Sequence, residues 1–155
     1  MNIHIRVATT DDAKAISRLI QPLTRKHVCP TCDESVHDAL LASMSPQSMA
    51  SYLSSNHFYV VAATHDNEIV GVAGIRDYEH LYHLFVDDRF QGQGLSRRLW
   101  DEVKAASLHH GNGGRFTVNS ALNAERIYRH FGFQPRGGVR DRQGMRDIPM
   151  VLVEG

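Results

Sequence analysis

Gly92 and Gly94 lie in the run Val86-Asp-Asp-Arg-Phe-Gln-Gly-Gln-Gly-Leu-Ser-Arg-Arg-Leu-Trp100, where an apolar stretch gives way to an amphipathic one. Glycine has no Cβ, so the backbone N–H groups of such a loop can turn to one side. A helix opening at Leu95 would add unpaired amides and the positive end of its dipole. The chemistry this suits is binding of an anion, above all a phosphate. Two common phosphate loops are excluded. A nucleotide P-loop needs Lys-Ser or Lys-Thr after its second glycine, where Leu95-Ser96 stands; a dinucleotide fingerprint needs a third glycine where Arg97 stands.

The loop resembles the pyrophosphate loop of the GCN5-related N-acetyltransferases (GNAT superfamily), Gln/Arg-x-x-Gly-x-Gly/Ala, read here as Gln91-Gly-Gln-Gly94-Leu-Ser96. An overlapping register, Arg89-Phe-Gln-Gly92-Gln-Gly94, also fits the bare pattern. The first is preferred because Val86, Phe90 and Gln91 keep the family's spacing from the strand's last valine through an aromatic to Arg/Gln. A second motif is similar to the same family's next strand and helix: Val118 to Phe133, with Tyr128 three residues before Phe131-Gly-Phe133 and the small Ala124 one turn ahead of it. The asparagine that many members carry seven residues before the tyrosine is Ala121 here, with Asn119 and Asn123 on either side.

The resemblance implies an α/β (α+β) acyl-CoA N-acyltransferase fold, a mixed central sheet flanked by helices, with residues 1–155 forming one domain. It implies acetyl-CoA as co-substrate and direct transfer of the acetyl group to a primary amine on a small molecule or peptide, with no metal. The CoA arm would run along the backbone of Leu84, Phe85 and Val86. The pyrophosphate would meet Gln91, Gly92, Gln93, Gly94, Leu95, Ser96 and Arg97, with Asn119 and Asn123 alongside. Tyr128 becomes the general acid for the leaving thiolate, since a phenol of ordinary pKa about 10 can give that proton and recover it from solvent; its plainer role is a core aromatic. By the resemblance, His80 stands where some members carry a glutamate and others a histidine, six positions before Val86. It could take the amine proton directly or through water. In a regular strand Tyr82 shares the His80 face and His83 points away; Glu79 replaces His80 as base if a bulge shifts the register.

The elements that must position these residues follow from periodicity. Ile3 to Val7 alternates as a strand, and Thr10-Asp-Asp caps a helix with Ala13, Ile16, Leu19, Ile20 and Leu23 at helical spacing. One or two helices are expected within 34–54, restarting at Ser45-Pro46 with Met49, Tyr52 and Leu53 on one side. Phe58 to Thr64 and Ile69 to Ile75 read as a hairpin, and His80 to Val86 as the next strand. A helix spans about Leu95 to His109, with Leu95, Leu99, Val103 and Ala106 as its core stripe. Strands follow at Arg115–Asn119 and Met145–Val153, the latter needing Pro149 at an edge or bulge.

At 155 residues the chain can bury roughly 70% of its unfolded surface. Lys+Arg and Asp+Glu balance at 17 each, so no global field draws it to nucleic acid or an anionic membrane. No apolar run approaches the ~20 residues of a spanning helix, and the polar start lacks a signal-peptide core, which suggests a cytoplasmic protein. Cys29-Pro-Thr-Cys32 is a single pair, where structural zinc sites usually need a second; two reduced thiols in a loop is the simpler reading. Arg97 and Arg98 oppose the dipole in a helix first turn, which a bound phosphate would offset, with plain solvent exposure as the alternative. Oligomeric state is left open, a homodimer included. The competing functions are a non-catalytic CoA-sensing module and a nucleotide-binding module.

Overall fold

The computed structural model describes residues 2–154. In chain order the elements are β1 (Ile3–Val7), α1 (Ala13–Leu23), α2 (His37–Ala42), α3 (Pro46–Leu53), β2 (His57–Thr64), β3 (Ile69–Arg76), β4 (His80–Val86), α4 (Leu95–His109), β5 (Arg115–Ser120), α5 (Glu125–His130), β6 (Gln134–Pro135), β7 (Arg140–Arg142) and β8 (Met145–Val153). One mixed sheet runs in the order β1-β2-β3-β4-β5-β8-β6, with β7 paired to β8. All pairs are antiparallel except β4–β5. The α/β class and the mixed sheet flanked by helices are as the sequence predicts. Among the described residues no helix is long and apolar enough to cross a membrane.

Each face of the sheet carries helices because each helix has one apolar stripe. Leu95, Leu99 and Val103 of α4 pack with Trp100 on Phe116, Phe133 and Met150. Ile16 and Ile20 of α1 and Met49 of α3 cover the other face, over Tyr59, Val61 and Val72. Burying a side chain of this kind stabilises by about 1.5–3 kcal/mol. Thr10–Asp12 form a short 3-10 turn leading into α1, with Thr9 as its cap: the Thr9 N–H donates to the Asp12 carboxylate at 2.9 Å. Asp12 also accepts both guanidinium nitrogens of Arg6 at 2.9 Å, which ties β1 to the start of the helix and holds the Asp12 carboxyl below its usual range. Ser45 caps α3 as expected, its hydroxyl accepting from the Ser48 N–H.

Two features depart from the expected regularity. Gly74 pairs with His83 but Ile75 with Leu81, so Tyr82 is an extra residue on β4 and the strand bulges there. The bulge overturns the alternation that would point His83 away from Tyr82: their rings lie 4.4 Å apart on the α1–α3 side. Pro149 lies inside β8, opposite Asn119 of β5, rather than at an edge. Its carbonyl accepts from the Arg136 N–H at 2.8 Å just past the two-residue β6, a neighbour too short to require the amide that proline lacks.

Candidate active site

The glycine loop has the geometry its sequence calls for. Gly92 and Gly94 adopt φ of +76° and +74°, the left-handed region that other residues enter at a cost. Gly94 is the N-cap of α4, and its carbonyl accepts from the Arg98 N–H at 3.1 Å. The N–H groups of Leu95, Ser96 and Arg97 therefore fall in the first turn, where a helix has no partner for them. Phe90, buried in the core, anchors the loop, and the Asp87 carboxylate caps the preceding turn by accepting the Arg89 N–H at 2.9 Å. A Cβ at Gly92 or Gly94 would meet nothing within 4 Å, so glycine is needed there for conformation rather than for space.

Beside the loop, β4 and β5 separate. They pair in two registers only, His80 with Thr117 and Leu81 with Val118, and beyond Leu81 the edge of β4 facing β5 has no strand partner. The wedge opens into a cleft of about 790 Å³ bounded by β4, β5, α5, the segment after α1, and the β7–β8 turn. Of the sequence-predicted residues, His80, Leu84, Phe85, Val86, Gln91, Ser96, Asn119, Asn123 and Tyr128 line it. Gly92, Gln93, Gly94, Leu95 and Arg97 belong to the loop and the first turn of α4 and are not among the lining residues. Glu79 is not in the cleft either: its carboxylate pairs with Arg115 at 3.2 Å.

Several polar groups assigned to the ligand already have protein partners. The Gln91 side chain donates to the Val86 carbonyl at 2.9 Å, which ties the loop to the strand end and occupies one of the backbone acceptors on β4. Asn123 Nδ2 donates to the His27 carbonyl at 2.9 Å. The Arg97 guanidinium pairs with Asp101 and lies 5.5 Å from the centre of the Phe131 ring, while Arg98 reaches the Ile3 carbonyl at 3.3 Å. Both first-turn cations thus have contacts within the fold, Arg97 through a solvent-exposed pair.

Two titratable side chains face the cleft in distinct states. Tyr128 is 9% exposed and packs edge-on against Phe131 and Phe133 with ring centres 6.2 and 5.9 Å away. Burial pushes its phenol up to about 12, so it is protonated at neutral pH. His80 is half-buried, with Nδ1 2.7 Å from the Thr117 hydroxyl. Burial, aided by the charges of Arg76 and Arg140 and opposed by Glu79 and Asp147, lowers its pKa below the ordinary histidine value. A neutral imidazole and a neutral phenol on one cleft can respectively accept and donate a proton.

An acetyltransferase (GNAT) domain profile matches residues 28–154. The chain belongs to the GNAT acetyltransferase family. Solved GNAT structures share its fold at low identity. PaiA N-acetyltransferase from Thermoplasma acidophilum, in complex with coenzyme A, superimposes with a TM-score of 0.81 at 14% identity, over 99% of this chain and 100% of that one. A GCN5-related N-acetyltransferase from Rhodopseudomonas palustris gives 0.77 at 19% identity, covering 99% and 97%. Apo YjaB from Escherichia coli gives 0.75 at 17%, covering 100% and 99%. No curated protein matches at a significant level.

Within this GNAT fold the cleft also brings together residues that sequence reasoning did not assign. His83 is buried and lines the cleft, with Nδ1 2.7 Å from the Tyr59 hydroxyl; burial pushes it down to about 3. Asp147 is 3% exposed and receives both Arg140 and Arg142. No sequence signal announced either, because the placement of His83 depends on the bulge at Tyr82 and the burial of Asp147 on how β8 packs in the fold. Cys29 and Cys32 are both buried, on a single turn whose carbonyls face His37 Nε2. Burial raises the Cys29 thiol pKa, which disfavours the reactive thiolate.

Proposed function

We propose that this GNAT domain transfers an acetyl group from acetyl-CoA directly to a primary amine, with His80 taking the amine proton and Tyr128 protonating the departing thiolate. The observation that carries this reading is the juxtaposition of the left-handed glycine cradle with the β4–β5 wedge, which offers free backbone groups to a thin arm and ends at two neutral proton-transfer groups. The chain fits acetyl-CoA as co-substrate: Gly92 to Arg97 supply backbone donors for a pyrophosphate, and Leu84 and Phe85 border the open edge of β4. Bound acetyl-CoA supplies the reactive thioester.

The chain's own residues then divide the work. Thr117 fixes the His80 ring. With Nδ1–H donating to that hydroxyl, Nε2 is left as the acceptor of the amine proton. Tyr128 holds its proton until a thiolate appears beside it, because burial penalises the phenolate. Asn119, on β5, and Ser96, at the start of α4, add polar groups along the path between the cradle and the wedge.

Calorimetric titration with acetyl-CoA, CoA and ATP tests the reading. The expected result is saturable binding of both CoA species and at least about tenfold weaker binding of ATP. Tighter binding of ATP would favour a nucleotide-binding module. Binding of CoA without turnover of any amine would favour a CoA sensor.

A further inference from the structure

The wall of the cleft opposite the glycine loop is apolar where it meets α2 and carries arginine side chains where it meets β7 and β8. No residue of α2 is buried, yet Val36 just before it and Leu40 within it line the cleft together with Leu23, Met44, Phe85 and Met145. These side chains present an apolar surface that a ligand would cover.

The charge has a specific layout. The β7–β8 hairpin carries Arg140, Arg142 and Arg146 against Asp141 and Asp147. Asp147 is buried and is held by Arg140 at 2.9 and 3.1 Å and by Arg142 at 3.1 Å, so two guanidinium groups share one carboxylate. Arg146 pairs with Asp141 at 3.0 Å and reaches the Thr31 carbonyl at 3.4 Å. Asp33, whose N–H donates to the Gly144 carbonyl, brings a third carboxylate to the Arg146–Asp141 side of the hairpin, while Arg142, whose side chain is 55% exposed, uses one of its five donors on Asp147. Arg142, Arg146 and Asp147 all line the cleft. The other carboxylate lining it, Asp88, is paired with Lys26 at 2.6 Å and His27 at 3.0 Å. The lining therefore offers guanidinium donors to an anion and no unpaired carboxylate to a second ammonium group.

Resting on the acetyl-transfer reading, we infer that the acceptor is a free apolar amino acid: an amine carrying its own carboxylate, which Arg142 and Arg146 hold, and an apolar side chain, which packs on Leu40 and Met44. Guanidinium groups recognise carboxylates with charge-assisted, often paired hydrogen bonds, and an unpaired buried carboxylate on a wrong wall would be costly. A polyamine finds no anionic partner here.

The test is thiol release at saturating acetyl-CoA with leucine, methionine and phenylalanine, their amides, and spermidine. The acids are expected to exceed their amides in kcat/KM by roughly 10- to 100-fold, the value of a hydrogen-bonded charge, with spermidine slower than either. In Arg142→Gln the acid-to-amide ratio should fall by roughly tenfold through KM, and Arg142→Lys should restore part of it. Arg140 continues to hold Asp147 in both variants. Amides as fast as acids, a preference for spermidine, or an unchanged ratio in both Arg142→Gln and Arg146→Gln would overturn the inference while leaving acetyl transfer intact. Absence of thiol release with every amine would instead overturn the acetyl-transfer reading, and this inference with it.

Discussion

The Nδ1 atom of His80 lies 2.7 Å from the hydroxyl oxygen of Thr117, in the first of the two registers that close the β4–β5 wedge. The same backbone pairing that ends the parallel ladder thus orients the imidazole at the point where the cleft begins. One ring nitrogen is held by Thr117, and on the proposed mechanism the other takes the amine proton.

His80→Ala should lower kcat/KM by roughly 10²-fold near neutral pH, the low end for a positioned base. Because burial depresses its pKa, His80 is already neutral at the ordinary histidine value of about 6.5. Activity that depends on it should fall only as pH drops through a value below about 6.5. The deficit of the alanine variant should shrink as pH rises toward the pKa of the amine, where free amine no longer needs a base. A pH–rate profile over that range decides, and a uniform deficit would assign deprotonation to water.

Tyr128→Phe removes one hydroxyl and keeps the edge-on contacts with Phe131 and Phe133. Thermal stability should change little. The kcat should fall by roughly 10²-fold with acetyl-CoA affinity almost unchanged, and the penalty should be smaller for an acyl donor with a more acidic thiol. Equal penalties for both donors would make Tyr128 a packing residue.

Gly94→Val forces a β-branched residue to φ +74°, which costs more than about 1 kcal/mol even though its Cβ would meet open space. The loop should relax away from the cradle geometry and acetyl-CoA should bind at least about tenfold more weakly, measured by calorimetry. Gly94→Asn, which tolerates the left-handed region, should retain more of the affinity. Equal losses in the two variants would argue that conformation at this residue is not what matters.

His83 is buried and neutral, with its pKa pushed down to about 3. An unfolded chain takes up a proton at this residue as pH falls through about 6.5, and the folded chain does not, so stability is lost on going from there toward acid. His83→Phe should remove about 1.4 kcal/mol per pH unit of that dependence between about pH 4 and 6, read from denaturant unfolding at each pH. Parallel curves for the two proteins would mean that His83 is protonated in the folded state.

The parts of the site that are contiguous in the chain were legible in the sequence. Gly92, Gly94, the first turn of α4, and Tyr128 before Phe131-Gly-Phe133 carry their geometry locally, in φ angles and helical spacing. The strand His80–Val86 was also legible as a segment. Its bulge was not, because the extra residue at Tyr82 exists only relative to the register of β3, and that register brings His83 in beside Tyr82. The engagement of Gln91 with Val86, of Asn123 with His27 and of Arg97 with Asp101 depends on which neighbours the fold supplies. The same holds for the buried Asp147, whose two arginines lie five and seven residues away across a turn.

The most direct measurement follows both products of one reaction: free thiol released from acetyl-CoA and acetylated amine counted by mass spectrometry, with the protein itself weighed at the same time. Direct transfer in the β4–β5 cleft predicts one acetylated amine per thiol, no thiol release without amine, and no acetyl group left on the protein. Thiol release without an acetylated amine, or a stable acetylated protein that forms before the amine is added, would contradict it.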